Sequence, residues 1–302
     1  MSRLLVVGGS GFIGQHLCYR LVQLGWQPIV LCRNSQRAAS VLPKQVTLIT
    51  GLEQLSKEQA VDVLINLAGE PIADRRWTVR RKQQLVVSRI GMTQKLYDFF
   101  EHRENKPQVV ISGSAVGYYG GGMANDQKIA EDGAVEPNFS HQLCAGWERA
   151  ASQFQQLGSR VCYLRTGIVL GEQGALAKML PAFKFGMGGT IGNGNQWMPW
   201  IHIEDMVGII LHCIDNSDLQ GAVNGTAPQP VTNLEFTKIL GAVLKRPVRI
   251  TMPSAVIKLL FGQMGEELLL QGQRVIPQKL QQQGYQFKYT DLHGALSQIL
   301  KV

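Results

Sequence analysis

Short apolar runs alternate with amphipathic stretches over the first 170 residues of the chain. Leu4–Val7 is apolar throughout, which predicts a strand buried on both faces of a parallel sheet. Similar runs predict strands at 29–32, 46–49, 61–69, 109–112 and 161–165. Apolar positions recur at helical spacing over residues 15–24, 78–102 and 140–157. This alternation predicts an α/β fold with right-handed crossovers and helices on both sides of the sheet.

Three glycines follow the first strand at three-residue spacing, namely Gly8, Gly11 and Gly14. In a strand–turn–helix unit, one glycine permits the tight turn, one lets the backbone approach a pyrophosphate, and one lets the helix pack closely on the strand. The helix N-terminus then offers unpaired N–H groups to the phosphate. We therefore predict a dinucleotide-binding Rossmann fold, the alternative being a glycine turn with a purely structural role.

The regular alternation ends after Gly171. Residues 186–195 are too rich in glycine for regular structure and predict a loop, and the tail from Pro253 predicts short helices. We expect a Rossmann domain over residues 1–170, with further elements at 200–230, and a substrate-side region over residues 171–302. The predicted architecture is a doubly wound parallel sheet with this smaller mixed C-terminal region packed against it.

Composition restricts the class of protein. The chain has 302 residues, 45% of them apolar, and no apolar run approaches the roughly 20 residues that span a bilayer. The N-terminus leads directly into the first strand, so we expect no signal peptide. Five scattered cysteines are typical of reduced thiols, and neither they nor the six histidines have metal-ligand spacing. These observations predict a cytoplasmic protein without a membrane partner and without a metal.

The densest part of the net charge of +8 lies at residues 75–82, which include five cations. A solvated basic face is one interpretation. The other is that a nucleotide phosphate or an acidic substrate compensates these cations, which oppose the dipole of a helix that begins there. No nucleic-acid-binding motif accompanies the charge, so we expect no nucleic-acid partner.

The end of the second strand predicts which dinucleotide is bound. NAD-binding Rossmann proteins place Asp or Glu there to bind the ribose 2′-hydroxyl, whereas an arginine accommodates a 2′-phosphate. Here Cys32 and Arg33 occupy that position, and no carboxylate follows them. An arginine can bind a phosphate through two hydrogen bonds. The residues therefore predict NADP(H), unless Arg33 is an ordinary surface residue.

Several motifs resemble the extended short-chain dehydrogenases/reductases, the superfamily of NAD-dependent epimerases and dehydratases. The strand end at 66–69 and Ser114 after the fifth strand belong to that pattern. Four further motifs resemble one subfamily more closely, the epimerase-like proteins of SDR39U1 and YfcH type. These motifs lie at residues 69–72, 114–120, 147–148 and 200–202. Its C-terminal domain of unassigned function, which would begin near residue 250, is similar to this chain at 253–256, 268–270 and 272–277. The resemblance spans essentially the whole chain.

The glycine motif and the resemblance together indicate which residues bind the cofactor. The resemblance implies that Leu67 and Ala68 line the passage for adenine and ribose. Gln84, Ser88 and Arg89 have helical spacing and would reach the ribose and phosphates, unless they form an exposed polar face. The full predicted set is Gly8, Ser10, Gly11, Phe12, Ile13, Gly14, Cys32, Arg33, Leu67, Ala68, Gly69, Gln84, Ser88, Arg89 and Arg165.

The superfamily's catalysis normally needs a Ser or Thr, together with a Tyr that is followed four residues later by a Lys. In this chain Ser140 or Phe139 aligns with the tyrosine, and Cys144 aligns with the lysine. A serine hydroxyl is too weak an acid, and a thiol has no ammonium group. The usual acid–base pair is therefore missing.

Three other residues are candidates for catalysis. Ser114 lies where the superfamily keeps its hydroxyl and would donate a hydrogen bond to a substrate. Tyr118 would supply a displaced acid, and His202 a base that titrates near neutrality. Packing roles are the alternatives for Tyr118 and His202.

Two functions stay open on the sequence alone. The first is an NADP(H)-dependent oxidoreductase or nucleotide-sugar-type epimerase that acts on an unidentified small molecule with an altered acid–base set. The second is an NADP(H)-binding protein that has lost the reaction and acts as a sensor or partner-binding protein. Whether the chain is an enzyme and whether it forms a homodimer also stay open.

Overall fold

The computed structural model describes residues 3–121 and 126–301. The strands in these stretches are β1 (Leu4–Val7), β2 (Ile29–Leu31), β3 (Thr47–Ile49), β4 (Val63–Asn66), β5 (Val109–Ala115), β6 (Lys128–Ile129), β7 (Arg160–Thr166), β8 (Ile168–Leu170), β9 (Gly189–Ile191), β10 (Trp197–Met198), β11 (Trp200–His202), β12 (Gly221–Gly225), β13 (Val231–Thr232), β14 (Ile250–Met252) and β15 (Arg274–Val275). The α-helices are α1 (Phe12–Gln23), α2 (Ser35–Ala39), α3 (Val79–Val86), α4 (Met92–Glu101), α5 (Phe139–Ser152), α6 (Gly174–Lys184), α7 (Ile203–Asp215), α8 (Asn233–Val243), α9 (Ser254–Phe261), α10 (Gln263–Gly265), α11 (Gln278–Gln282) and α12 (Leu292–Leu300). Other helical turns occur at Leu52–Gln54, Val87–Gly91, Val116–Tyr119, Gln153–Leu157 and Glu266–Leu270.

Seven strands form the main sheet, in the order β12-β7-β5-β4-β1-β2-β3. Each neighbouring pair is parallel. The order reverses at β1, which pairs with β2 on one side and with β4 on the other. In open α/β sheets, ligands bind beyond the carboxyl ends of the strands at such a switch point. The predicted doubly wound Rossmann fold is confirmed.

The side chains of β1 alternate between two apolar cores. Leu4 and Val6 belong to one cluster, and Leu5 and Val7 belong to the other. All four side chains are buried. A central parallel strand covered by helices on both faces has no solvent-facing side, which is why the sequence shows a continuous apolar run instead of an alternating one.

The predicted helix over residues 78–102 is one helical segment with a wider turn in its middle. α3 ends at Val86, a π-helical turn covers Val87–Gly91, and α4 continues from there. The segment begins at Thr78, whose side chain accepts a hydrogen bond from the Arg81 N–H. Turns of this wider kind inside helices are frequent at functional sites.

The C-terminal half of the chain supplies elements to both parts of the molecule. β12 is an edge strand of the main sheet, and α7 packs against α1. The remaining part is mixed, because β10 and β13 are antiparallel whereas β8–β11 and β9–β14 are parallel pairs. Six of the seven strands of the main sheet therefore lie before the predicted boundary near residue 170. The seventh strand, β12, comes from the region after it.

A buried carboxylate fastens the C-terminal tail to α7. Asp205 lies in the first turn of that helix. Its carboxylate accepts hydrogen bonds from the N–H groups of Lys288 at 2.8 Å and Tyr289 at 2.9 Å. The Tyr285 hydroxyl donates to the Asp205 backbone oxygen at 3.0 Å. Burial raises the pKa of the Asp205 carboxyl. Because a buried polar group is stable only when it is hydrogen-bonded, this residue and the tail order each other.

Replacing Asp205 by Ala should lower the free energy of unfolding by about 2–4 kcal/mol, because two part-buried N–H groups of the tail lose their charged acceptor. Glu204→Ala is the matched control, since Glu204 forms an exposed ion pair with Lys288 and such pairs contribute little. Urea denaturation followed by circular dichroism measures both variants. Equal losses for the two would contradict the assignment.

Candidate dinucleotide site

The loop between β1 and α1 approaches the loop after β4 so closely that side chains would not fit between them. Gly8 has a φ of +84°, and a Cβ there would lie 2.8 Å from the Leu67 carbonyl carbon. A Cβ at Gly14 would lie 2.4 Å from the Gly8 oxygen. Atoms cannot approach to these distances, and L side chains avoid this φ. Both glycines are therefore required by the packing of strand, turn and helix.

Gly11 differs from these two glycines because it is exposed. The nearest atom to a Cβ there would be the Gly8 oxygen at 3.2 Å, so the outer side of this position is open to a ligand. Gly11 is also the N-cap of α1, which has no side-chain cap and no acidic residue in its first turn. An anion at this position would meet unpaired backbone N–H groups. We call the loop over residues 8–11 and the N-terminus of α1 the cradle. Its geometry fits a pyrophosphate.

The other residues of the glycine motif surround this cradle. The Ser10 carbonyl accepts a hydrogen bond from Gln15 Nε2 at 2.8 Å, and Ile13 packs on the core. The Phe12 ring lies against Gly171, where a Cβ would be 2.6 Å from Cζ. Phe12 thereby joins the cradle to the segment that follows β8.

Arg33 follows β2, and its side chain is 89% exposed. Its Nη1 donates to Glu70 Oε1 at 2.9 Å, and Arg81 Nη1 donates to Glu70 Oε2 at 3.4 Å. The Arg33 guanidinium, followed by that of Arg81, lowers the pKa of the Glu70 carboxyl. No carboxylate follows Arg33 along the chain, but the Glu70 carboxylate reaches it in the fold from the loop after β4. Cys32 is buried, with its thiol directed at the Ile49 oxygen.

The polar residues predicted on the 78–102 helix behave in two ways. Arg89 is buried, and its Nη2 donates to the Glu70 backbone oxygen at 2.9 Å. Its guanidinium lies beside Gly69, where a Cβ would be 3.0 Å from Cζ. Ser88 Oγ accepts from the Glu70 N–H at 3.1 Å. Gln84 is exposed, so the alternative of an exposed polar face applies to that residue alone. Ser88 and Arg89 thus support the loop that contains Leu67, Ala68 and Gly69.

Ser114 lies near the end of β5, with its hydroxyl bound inside the protein. The hydroxyl donates to Glu148 Oε1 at 2.7 Å, and both residues are buried. The two Glu148 oxygens also accept from Arg165 Nε and Nη2, each at 2.9 Å. Such a bidentate pair satisfies both buried charges internally. Ser114 therefore completes an ion pair, and the hydrogen that it was predicted to offer a substrate is directed at Glu148.

The remaining donor group of Arg165 also has protein partners. Nη1 donates to the Glu131 backbone oxygen at 2.8 Å and to the Tyr119 hydroxyl at 3.0 Å. The Tyr118 ring lies over the guanidinium, 3.4 Å from Cζ to the ring centroid. The geometry thus gives Arg165 a structural role in place of the predicted cofactor contact, and it gives Tyr118 a packing partner. Burial raises the pKa of Tyr119 to about 12.

Ser140 is one of the two residues, with Phe139, that align with the superfamily's tyrosine, and a carboxylate from the C-terminal region reaches it. The Ser140 hydroxyl donates to Glu267 Oε2 at 2.7 Å, and its N–H donates to the same atom at 2.9 Å. A Cβ at Gly117 would be 3.2 Å from Ser140 Cβ and 3.7 Å from Cys144 Sγ, so this face of α5 meets the turn after β5. Burial raises the pKa of the Cys144 thiol to about 12. One of the two positions that align with the missing tyrosine is therefore next to Glu267.

His202 precedes α7 and is buried. Its Nδ1 accepts from the Glu204 N–H at 3.1 Å, and its Nε2 lies 2.9 Å from Gln298 Oε1. The ring stacks on Tyr289 with 3.8 Å between centroids, and burial lowers its pKa. With Nδ1 as acceptor and Nε2–H as donor, a neutral ring satisfies both contacts. This geometry favours the structural alternative over the predicted base.

Three carboxylates that the sequence interpretation left without a role, Glu70, Glu148 and Glu267, are central to these contacts. Glu70 and Glu148 lie within the motifs at 69–72 and 147–148, and those motifs were the available signal. Glu267 has no local signal, since it lies 127 residues from Ser140 along the chain.

Across 3–121 and 126–301, no group of three or more His, Cys, Asp or Glu side chains is placed to hold a metal ion. No helix in those ranges is long and apolar enough to cross a bilayer. The five cysteines are buried and free.

Known proteins are similar to this chain in sequence and in fold. The chain matches the NAD dependent epimerase/dehydratase family over residues 4–224 and a domain of unknown function, DUF1731, over residues 252–299. Epimerase family protein YfhF of Bacillus subtilis is 37% identical over 300 residues, which are 98% of this chain and 97% of the relative. The chloroplastic epimerase family protein SDR39U1 homolog of Arabidopsis thaliana is 35% identical over 303 residues, 98% of this chain and 86% of the relative.

A solved structure extends the agreement to three dimensions. Human epimerase family protein SDR39U1 (isoform 2), crystallised with NADPH, has a TM-score of 0.86 at 32% identity over 99% of both chains. The family match covers most of the sequence, and the relatives align along nearly their whole length. The chain therefore belongs to the NAD-dependent epimerase/dehydratase family, with relatives named epimerase family protein and SDR39U1 homolog.

Proposed function

We propose that the protein binds NADP(H) and acts as an oxidoreductase or nucleotide-sugar-type epimerase on a small molecule. The observation that supports this most strongly is the cradle before α1, where Gly8 and Gly14 leave no room for a Cβ and Gly11 is open outward. The bound nicotinamide would supply a site for reversible hydride transfer. Gly11 and the first N–H groups of α1 would hold the pyrophosphate, and the loop at 67–69 would adjoin the adenosine half.

The choice of NADP(H) depends on Arg33. Its exposed guanidinium lies at the end of β2, where a 2′-phosphate is recognised, and NADPH is the cofactor in the human SDR39U1 structure. The Glu70 carboxylate accepts a hydrogen bond from Arg33, so a 2′-phosphate would have to displace this carboxylate or share the arginine with it. Arg81 also contacts Glu70 and would retain it after displacement.

Catalysis would require a proton carrier in place of the missing tyrosine. Glu267 reaches one of the two positions that align with that tyrosine, because its carboxylate accepts hydrogen bonds from both Ser140 Oγ and the Ser140 N–H. We assign it that role, with Tyr118 as a further candidate. The competing function is a sensor that binds NADP(H) without turnover. The internal hydrogen bonds of Ser114 and His202 favour that alternative, since neither group is free to act on a ligand.

The free and buried cysteines support a reducing compartment, and we place the protein in the cytoplasm.

Gly11→Val should abolish dinucleotide binding and leave the protein folded, because the side chain would fill the outer space that a pyrophosphate needs. Calorimetric titration with NADPH measures binding, and circular dichroism verifies folding. Gly14→Val is the contrasting variant and should lose its fold, since its Cβ would meet the Gly8 oxygen. A folded Gly11→Val protein that binds NADPH normally would show that the cradle lies elsewhere.

Arg33→Ala should weaken NADPH binding roughly ten- to a hundredfold, because a charge-assisted hydrogen bond is lost. NADH binding should change little, since NADH has no 2′-phosphate. Glu70→Gln should act in the opposite direction and strengthen NADPH binding, because it removes the anion that competes for Arg33. Calorimetry with both cofactors on the three proteins decides the question. An Arg33→Ala protein with unchanged NADPH affinity would contradict the 2′-phosphate assignment.

A screen of carbonyl compounds and nucleotide sugars, followed by NADPH absorbance, tests turnover. Once a substrate is found, Glu267→Gln should reduce the turnover rate about a hundredfold or more and alter the pH–rate profile, because a proton carrier is removed. Ser114→Ala, Tyr118→Phe and His202→Ala are measured in parallel. Full activity in all four variants would exclude this set. Tight NADPH binding with no turnover across the screen would favour the sensor.

A further inference from the structure

Two segments in the C-terminal half are basic and contain no acidic residue. Residues 173–203 and 236–265 include seven lysines and arginines and no Asp or Glu. Lys178 and Lys258 form ion pairs with acids from outside these segments. The exposed cations without an ion-pair partner in the described ranges include Lys184, Lys245, Arg246 and Arg249. The positive charges of these four side chains are therefore not neutralised by an acidic side chain in the ranges 3–121 and 126–301.

The fold brings parts of these two segments together. β9 and β14 pair along three residues, from Gly189 with Ile250 to Ile191 with Met252. A Cβ at Gly186 would lie 3.7 Å from the Pro247 ring. Residues 184–191 and 245–252 therefore lie side by side, and α9 follows directly, with only Pro253 between it and β14. We call this surface the basic apolar face.

The basic apolar face also exposes large apolar side chains. Phe185, at the end of α6, is 78% exposed, and Met187 is more than half exposed. On β14, Ile250 and Met252 lie on one side of the strand and are both exposed. Apolar clusters of this kind on a protein surface mark sites of interaction.

α9 follows β14 along the chain and exposes its apolar side. Val256, Leu259 and Leu260 are spaced i, i+3 and i+4, which places them on one side of the helix. An ordinary surface helix buries that side, yet all three are exposed here, and Leu259 is 75% exposed. Ile257 is the buried apolar residue that attaches the helix to the protein. The helix therefore presents its apolar side outward.

We propose that the basic apolar face docks on the surface of an anionic lipid bilayer. Four unpaired cations complement anionic headgroups, while protruding Phe and Leu side chains can enter the boundary of the acyl chains. This docking needs no membrane-spanning helix, and it departs from the expectation from the sequence that the protein has no membrane partner.

Charge disfavours a second copy of the chain as the occupant of this face. A second copy of the chain would bring two sets of unpaired cations together, which repel each other.

Vesicle co-sedimentation with the full chain tests the proposal. Vesicles of phosphatidylcholine with about 30% phosphatidylglycerol should bind the protein, whereas pure phosphatidylcholine should bind it at least tenfold more weakly, and added salt should weaken the binding. Arg246→Ala with Arg249→Ala should reduce the partition coefficient roughly 30-fold, since two cations are lost. Leu259→Ser with Leu260→Ser should reduce it at least tenfold, about 1.4 kcal/mol.

A matched control combines Arg20→Ala with Leu24→Ser at the end of α1, where a cation and an exposed leucine are removed from a different surface. It should bind vesicles like the unaltered protein. All variants should keep their thermal midpoint, which verifies folding.

The proposal is overturned if neither vesicle binds, or if the variants of the basic apolar face bind as well as the control. Light scattering tests the second copy, since a dimer that Leu259→Ser with Leu260→Ser separates would assign the face to self-association. Binding to an acidic peptide such as polyglutamate without vesicle binding would assign it to a protein partner.

Discussion

The contact between two backbone loops at the switch point of the sheet determines how this protein is built. Gly8 and Gly14 allow the turn after β1 to lie directly against α1 and against Leu67, and a single Cβ at either position would overlap another backbone atom. This contact fixes the N-terminus of α1 and leaves Gly11 open beside it. Because the helix start has neither a side-chain cap nor an acidic residue, its N–H groups are available to an anion. The geometry of the cradle therefore follows from packing alone, before any ligand is considered.

Buried charged groups hold together the region around Ser114, where the proposed function would place a substrate. Glu148 and Arg165 form a bidentate pair that also binds Ser114, and removing one member would leave the other charge buried without a partner. Such a network is rigid, and it directs the hydroxyl of Ser114 inward. In the same region Glu267 joins the C-terminal part to α5 through Ser140. The C-terminal part is thus connected to one of the two positions that align with the superfamily's tyrosine.

The sequence predicted what depends on local patterns. The apolar run of β1, the spacing of the glycines and the helix over 78–102 are short-range features, and each is present in the structure. The polar contacts were not predictable, because they join residues that are distant along the chain: Arg33 and Glu70 are 37 residues apart, Ser114 and Glu148 are 34 apart, and Ser140 and Glu267 are 127 apart. Periodicity says nothing about such pairs. His202 shows the same limit, since its burial beneath Tyr289 and its bond to Gln298 come from the tail.

Thermal or urea unfolding at increasing NADPH concentration tests the central claim, that the cradle holds a nicotinamide dinucleotide, without requiring a substrate. A ligand that binds only the folded state stabilises it, and the free energy of unfolding should rise by about 1.4 kcal/mol for each tenfold increase in NADPH above its Kd. The account predicts this slope for the unaltered protein. A free energy of unfolding that does not change with NADPH or NADH up to millimolar concentration would contradict it.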